Sequence, residues 1–300
     1  MHKKYTMKKN IKILIPVDFS KTSLKAIKHG AFIAKLNKGE VLLLNVQKKN
    51  DLVDVIFPAF KLKDFSIVTN YLNDKLLSLA DDVKKEFNIT VNTLVSLGNI
   101  TSEIVSIAEE NETDLIVMGT HGGDSQSSLL LGSNAYRVIS KASCPVMTIR
   151  ASSPVIGYKT IVMPIDNSEH TLQKITPTLE FAEKFASKLL LLGVVKKGNE
   201  NFEIELTSQL KQIEKFAKKY KLVATSTIIK TLNPSDSIIK FATKNKADLI
   251  SIMSDQEGGA SKLLGQFSHH IIHDSKIPVL TFKPFDAKSG LSDFGMGGMS

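Results

Sequence analysis

Ten short apolar runs, mostly Val, Ile and Leu, recur along the chain. They lie at residues 11–17, 40–46, 90–97, 114–119 and 145–150, then at 159–165, 188–195, 224–231, 247–253 and 278–283. Most are almost wholly apolar, the pattern of strands buried on both faces. The segments between them place apolar residues three and four apart, as in Leu24, Ile27, Ala31 and Ala34. That spacing puts one apolar stripe on a helix. Strand and helix alternate throughout, five strands and four helices to each half. The predicted class is α/β: two tandem doubly wound five-stranded parallel-sheet domains with right-handed crossovers.

The two halves repeat one another. "KILIPVDFSKTSLKAIKHGAFIAK" from Lys12 matches "TIVMPIDNSEHTLQKITPTLEFAEK" from Thr160, "DLIVMGT" from Asp114 matches "DLISIMS" from Asp248, and "CPVMTIR" from Cys144 matches "IPVLTFK" from Ile277. The matched segments keep their order. The short "ASSPVIG" at 151–157 sets the boundary, giving domains 1–152 and 153–285 that must pack closely. Residues 286–300, rich in Gly and Ser, read as a fraying tail.

The chain has 300 residues, 42% of them apolar, which is ample for two cores. The single cysteine, Cys144, allows no internal disulfide and suits a reducing cytosol; in "CPVMTIR" it reads as a buried, inert thiol. No apolar stretch reaches the roughly 18–20 residues of a membrane span. The basic start "MHKKYTMKKN" lacks the apolar core and cleavage site of a signal peptide. A cytoplasmic protein is expected, without membrane partners. The net charge of +9 comes from scattered lysines, and there is no tryptophan. A nucleic-acid surface would need a clustered basic stripe with aromatics, so none is expected.

In an open parallel sheet, ligands bind beyond the carboxyl ends of the strands, where strand order reverses. Two first-half loops qualify: Pro16, Val17, Asp18, Phe19 and Ser20, and Met118, Gly119, Thr120, His121 and Gly122. Gly119 and Gly122 remove Cβ bulk and can take positive φ, which would let main chain approach a ligand. Gly132, Ser133 and Asn134 then open a helix, whose N-terminal amides favour phosphate. Ser133 reads equally as a phosphate donor or as a helix cap, and Asp18, beside Ser20, also has a helix-start reading. No Gly-Lys-Ser/Thr phosphate loop and no Gly-x-Gly-x-x-Gly after the first strand is present. Neither a nucleophile elbow nor a Cys/His zinc set appears. His269, His270 and His273 form the one histidine cluster, and no acidic partner for it is evident in sequence.

The spacing Gly119-x2-Gly122-x9-Gly132-Ser133 resembles the ATP-binding signature of the universal stress protein family, and "PVDFS" and "CPV" are similar to that family too. The resemblance spans essentially the whole chain as a tandem pair, and implies the adenine nucleotide α-hydrolase-like fold. It also implies ATP, with or without Mg, as the ligand of the first domain. Pro16, Val17 and Asp18 would border the adenine with Val46, Gly98 would complete the pocket near the ribose, and Met118, Gly119, Gly122, Gly132, Ser133 and Asn134 would wrap ribose and phosphates. The second half departs: Met253 stands for Gly119, Gln266 and Phe267 for Ser133 and Asn134, and Asp255 and Glu257 bring negative charge. It is expected not to bind ATP in the family manner. The expected function is a stress-response protein regulated by ATP; the alternatives are a nucleotide-free adapter or a slow ATP hydrolase, with no catalytic residue assigned. The last strands of the two halves would pair as an intramolecular pseudo-dimer. A homodimer and an unidentified protein partner stay open, as does the role of Phe57 and Phe60 in the insertion at 50–65: over the nucleotide, facing a partner, or packed on the local sheet edge.

Overall fold

Strands buried on both faces need a helix over each crossover, and the chain supplies one each time. The structure, a computed structural model, describes residues 9–48, 65–120, 132–153, 157–166, 170–196, 200–254 and 265–285. The first half runs β1 (Lys12–Pro16), α1 (Lys21–Leu36), β2 (Glu40–Gln47), α2 (Phe65–Phe87), β3 (Thr90–Leu97), α3 (Ile100–Glu110), β4 (Leu115–Gly119), α4 (Ser133–Lys141) and β5 (Val146–Ile149). The second runs β6 (Thr160–Ile165), a 3-10 turn (Thr171–Lys174), α5 (Ile175–Phe185), β7 (Lys188–Lys196), α6 (Glu200–Ala217), β8 (Val223–Thr231), α7 (Pro234–Lys244), β9 (Leu249–Met253), α8 (Gln266–Asp274) and β10 (Val279–Phe282), with a short 3-10 turn after α6. Every strand lies within two residues of its predicted range.

The two sets of five strands form one ten-stranded sheet, in the order β3-β2-β1-β4-β5-β10-β9-β6-β7-β8. Pairing within each half is parallel. Among the described residues only β5 and β10 run antiparallel, with Leu280 opposite Met147. Strand order reverses between β1 and β4, and again between β6 and β9. Alternate residues feed opposite faces: Ile13 and Ile15 join the core under α1 and α2, while Leu14 joins the core under α3 and α4. The repeated aspartates have matching jobs. Asp114 Oδ2 accepts from the Lys12 amide at 3.0 Å and Asp248 Oδ2 from the Thr160 amide at 2.8 Å, fixing the start of β1 and of β6.

Helix α1 ties the halves together. Its Lys25 ammonium donates to the carbonyls of Ala151 (3.0 Å) and Ser153 in the connecting segment. Its His29 Nδ1 lies 2.6 Å from the Tyr158 hydroxyl, which also reaches Met147 Sδ at 3.3 Å. Around Tyr158 the Phe181 and Phe185 rings pack edge-on at 5.4 and 5.0 Å between centroids. Arg150 donates to the His273 carbonyl, and Tyr136 meets His269 edge-on at 5.5 Å, so the opposite face of the sheet is bridged as well.

Candidate functional site

A cavity of about 310 Å³ opens at the carboxyl ends of β1 and β4. Pro16, Val17, Asp18, Val46, Met118, Gly119, Gly132, Ser133 and Asn134 line it, together with Ser23, Leu44, Ile100, Ile104, Thr120 and Ala135. Asp18 is the only charged side chain among these. Leu44 accompanies Val46 because residues two apart share a strand face, and Ile100 and Ile104 are one turn apart on α3. These apolar positions carry no signal of their own in sequence, since they look like ordinary core. Two expected residues are not in this set. Gly98 does not line the cavity: its amide donates to the Gln47 carbonyl at 2.9 Å, and an added Cβ would lie 2.5 Å from Glu103 Oε1. Gly122 lies outside the described residues, as do His121, most of the 50–65 insertion, and the 286–300 tail.

The loop after β1 is held from several sides. Ser20 Oγ accepts from the Ser23 amide at 3.2 Å and so caps α1. Asp18 Oδ1 accepts from the Ser20 amide at 3.0 Å and the Ser20 hydroxyl at 2.6 Å. The helix-start role and the place in the cavity wall therefore belong to Asp18 together. Phe19 between them has φ of 62°, a left-handed conformation that costs a residue with a Cβ. It is kept there by its ring, which packs on the core beneath the Lys75 ammonium, 4.2 Å from the ring centre.

The glycine at the end of β4 serves a different purpose from the one its spacing suggests. Its φ is not positive, and an added Cβ would lie 2.8 Å from Thr22 Cγ2 and 3.3 Å from the Thr22 carbonyl carbon. The missing side chain therefore makes room for the first turn of α1, while the Gly119 backbone borders the cavity. Across from it, Gly132 is the N-cap of α4 and no side chain caps that helix. Ser133 is the first helical residue, so it is not the cap. The Gly132 amide donates to the Thr120 carbonyl at 2.7 Å, which brings α4 up against the end of β4. The first turn of α4 thus faces the cavity with its amides and positive dipole end.

The matching region of the second half carries different side chains. Helix α8 also follows a glycine, Gly265, without a side-chain cap. Phe267 stands where Asn134 stands, and packs on a core that contains Leu192, Val194, Ile238 and Ile252. Asp255, Glu257, Gly258 and Gly259 lie outside the described residues. The histidine cluster on α8 does have acidic partners that sequence did not reveal. His270 Nε2 lies 2.9 Å from Asp236 Oδ1 and 3.0 Å from Asp274 Oδ2, and His273 Nδ1 lies 2.5 Å from Asp274 Oδ1. Asp236 comes from α7, so only the fold brings it near. Burial and the neighbouring His273 hold His269 below the usual imidazole range. Among the described residues no group of three or more His, Cys, Asp or Glu could hold a metal ion.

Comparison with known proteins places this architecture. The model of the universal stress protein family matches residues 10–150 and again 157–283. Universal stress protein MJ0577 of Methanocaldococcus jannaschii is 35% identical over 152 residues, covering 46% of this chain and 94% of that protein. Universal stress protein MJ0531 of the same organism is 37% identical over 142 residues, covering 46% of this chain and 81% of its own length. A crystal structure of a universal stress protein from Archaeoglobus fulgidus shares the fold across 94% of this chain and 98% of its own, with a TM-score of 0.72 at 18% identity. Since the family model fits twice in succession and its two matches together span most of the chain, the chain belongs to the universal stress protein family as a tandem, two-segment member.

Proposed function

We propose that the first half (1–152) binds ATP as a regulatory ligand in a cytoplasmic stress response, and that the second half (153–285) is its structural or regulatory partner. One observation carries this reading: the uncapped first turn of α4 and the end of β4 face the same cavity as Asp18 and the apolar wall of Val46, Met118 and Ile104. An apolar slot beside a carboxylate suits a base bearing an amine, and a helix N-terminus suits phosphate. Mg is proposed to enter as the counter-ion of the phosphates. No catalytic base is assigned, so turnover, where present, is slow and the nucleotide acts by occupancy. Among the described residues no helix is long and apolar enough to cross a membrane.

The test is calorimetric titration of the full chain with Mg-ATP. Val46→Phe puts a larger side chain into the cavity from a half-buried strand end. It is expected to weaken ATP at least about tenfold, with the unfolding midpoint nearly unchanged. Gly265→Val, at the start of α8, is expected to bind as wild type does. Wild type that fails to bind, or equal loss in both variants, would overturn the assignment.

A further inference from the structure

We infer that Asn45 is a positioning residue that sets the base preference of the first-half cavity by fixing the carboxylate of Asp18; this rests on the ATP reading above. Asn45 sits near the end of β2 and is 2% exposed. It does not line the cavity. Its strand neighbours Val41 and Leu43 share its face, under α1 and α2, whereas Leu44 and Val46 face the cavity side. A buried amide is costly unless both ends are bonded. Here both are: Nδ2 donates to the Val17 carbonyl at 2.6 Å, and Oδ1 accepts from Gln47 Nε2 at 2.6 Å.

The Val17 carbonyl belongs to the peptide that joins Val17 to Asp18. The Val17 amide is held in turn by the Leu44 carbonyl at 2.8 Å. Asp18 is therefore gripped through its backbone on one side and through Oδ1, by Ser20, on the other. Oδ2 is left to meet a ligand. A carboxylate accepts hydrogen bonds and donates none. Adenine offers an exocyclic amine at the position where guanine offers a carbonyl oxygen. A fixed acceptor discriminates between them; one free to swing into solvent does so poorly.

The second half supplies an independent comparison. Pro16 pairs with Leu44 and Pro164 with Leu192, so Gly193 holds the register position of Asn45. An added Cβ there would lie 2.9 Å from Leu206 Cδ2, 2.9 Å from Leu210 Cδ1 and 3.0 Å from Ile228 Cγ1. The leucines of α6 fill the space the amide would need. The clamp exists only beside the cavity.

Titration of the full chain with ATP and with GTP decides the matter, using wild type, Asn45→Ala and Gln47→Leu. Wild type should prefer ATP. Asn45→Ala should weaken ATP about tenfold and leave GTP within about twofold, the scale of one lost hydrogen bond at the base. Gln47→Leu, at a half-buried position, should shift the ratio the same way by less. A merely structural amide would lower both nucleotides alike, and an unchanged ATP-to-GTP ratio in both variants overturns the inference while leaving ATP binding intact. If Asn45→Ala does not fold, the ratio in Gln47→Leu decides. Wild type that binds neither nucleotide would sink the ATP reading, and this inference with it.

Discussion

The carboxyl ends of β1 and β4 and those of β6 and β9 rest on matching strands, yet they close differently. After β1, Asp18 and Ser20 start α1 directly, with a side-chain cap. After β6, the Asp166 amide donates to Thr171 Oγ1 at 3.3 Å, and a 3-10 turn without a side-chain cap precedes α5. Asn134 borders a cavity; Phe267 lies on a core. The inner strands repeat because both their faces are buried, so most positions admit only apolar residues of similar volume. Their ends meet solvent and are under no such limit. The comparison teaches that the repeated part of this chain is scaffold and that chemistry is to be sought where the repeat fails.

The largest effect is expected at the seam, where the halves differ at one matching turn. Asn10 and Tyr158 both precede a first strand, with φ of 67° and 44°. Asparagine tolerates this conformation, and Asn10 is exposed. Tyr158 is buried among His29, Phe181 and Phe185, so its ring is why a poorly suited residue stays there. Tyr158→Ala should cost about 3–5 kcal/mol in denaturant unfolding, the range for large aromatic truncations. Asn10→Ala should cost less than about 1 kcal/mol. Equal effects would mean that the seam is not carried by this ring.

A smaller difference is set by pH. His29 sits where the second half has Pro177. Burial, then the nearby Lys25 charge, lower the His29 pKa to about 4. Between that value and the ordinary 6.5 the unfolded chain binds the extra proton, so stability rises with pH through this window and falls on acidification. Going from pH 7 to pH 5 should remove about 2 kcal/mol through this residue, by the linkage of about 1.4 kcal/mol per pKa unit. Comparing denaturant midpoints of wild type and His29→Gln at the two pH values checks this: the variant should lose that share of the slope. A slope unchanged in the variant would show that His29 is not buried neutral.

Legibility in sequence followed the same division. The eight inner strands were readable because inner strands leave almost no polar positions, while the edge strands β3 and β8 mix polar residues into the run, and the Asp-Leu-Ile repeats marked a bond that both halves make. The residues around the cavity were readable where a glycine or Asp stood out. Ile100, Ile104 and Ala135 were not, because a cavity wall and a core wall use the same residues. The reason for Gly119 was also hidden, since the contact with Thr22 joins two segments almost a hundred residues apart in the chain. Asn45 gave no signal at all: a lone amide in an apolar run shows its purpose only once β1 and β2 are paired.

The smallest predicted effect isolates the loop itself. Ser20 Oγ takes the Ser23 amide and gives its proton to Asp18, so one hydroxyl serves both cap and carboxylate. Ser20→Ala should cost about 1 kcal/mol, the usual worth of a serine N-cap. The matching position in the other half, 168, lies outside the described residues. The 3-10 turn there has His170 at its N-cap position without a side-chain cap bond, so His170→Ala should change stability by less than about 0.5 kcal/mol. Thermal unfolding of the two variants measures the contrast. The same Ser20→Ala protein bears on the nucleotide: Oδ1 loses the hydroxyl bond and keeps the one from the backbone amide of residue 20, so Asp18 is held less firmly. ATP should then weaken by only about threefold, because the Val17 backbone remains held. A loss as large as that from Val46→Phe would mean that the hydroxyl itself touches the ligand, and that the loop is a contact surface more than a support.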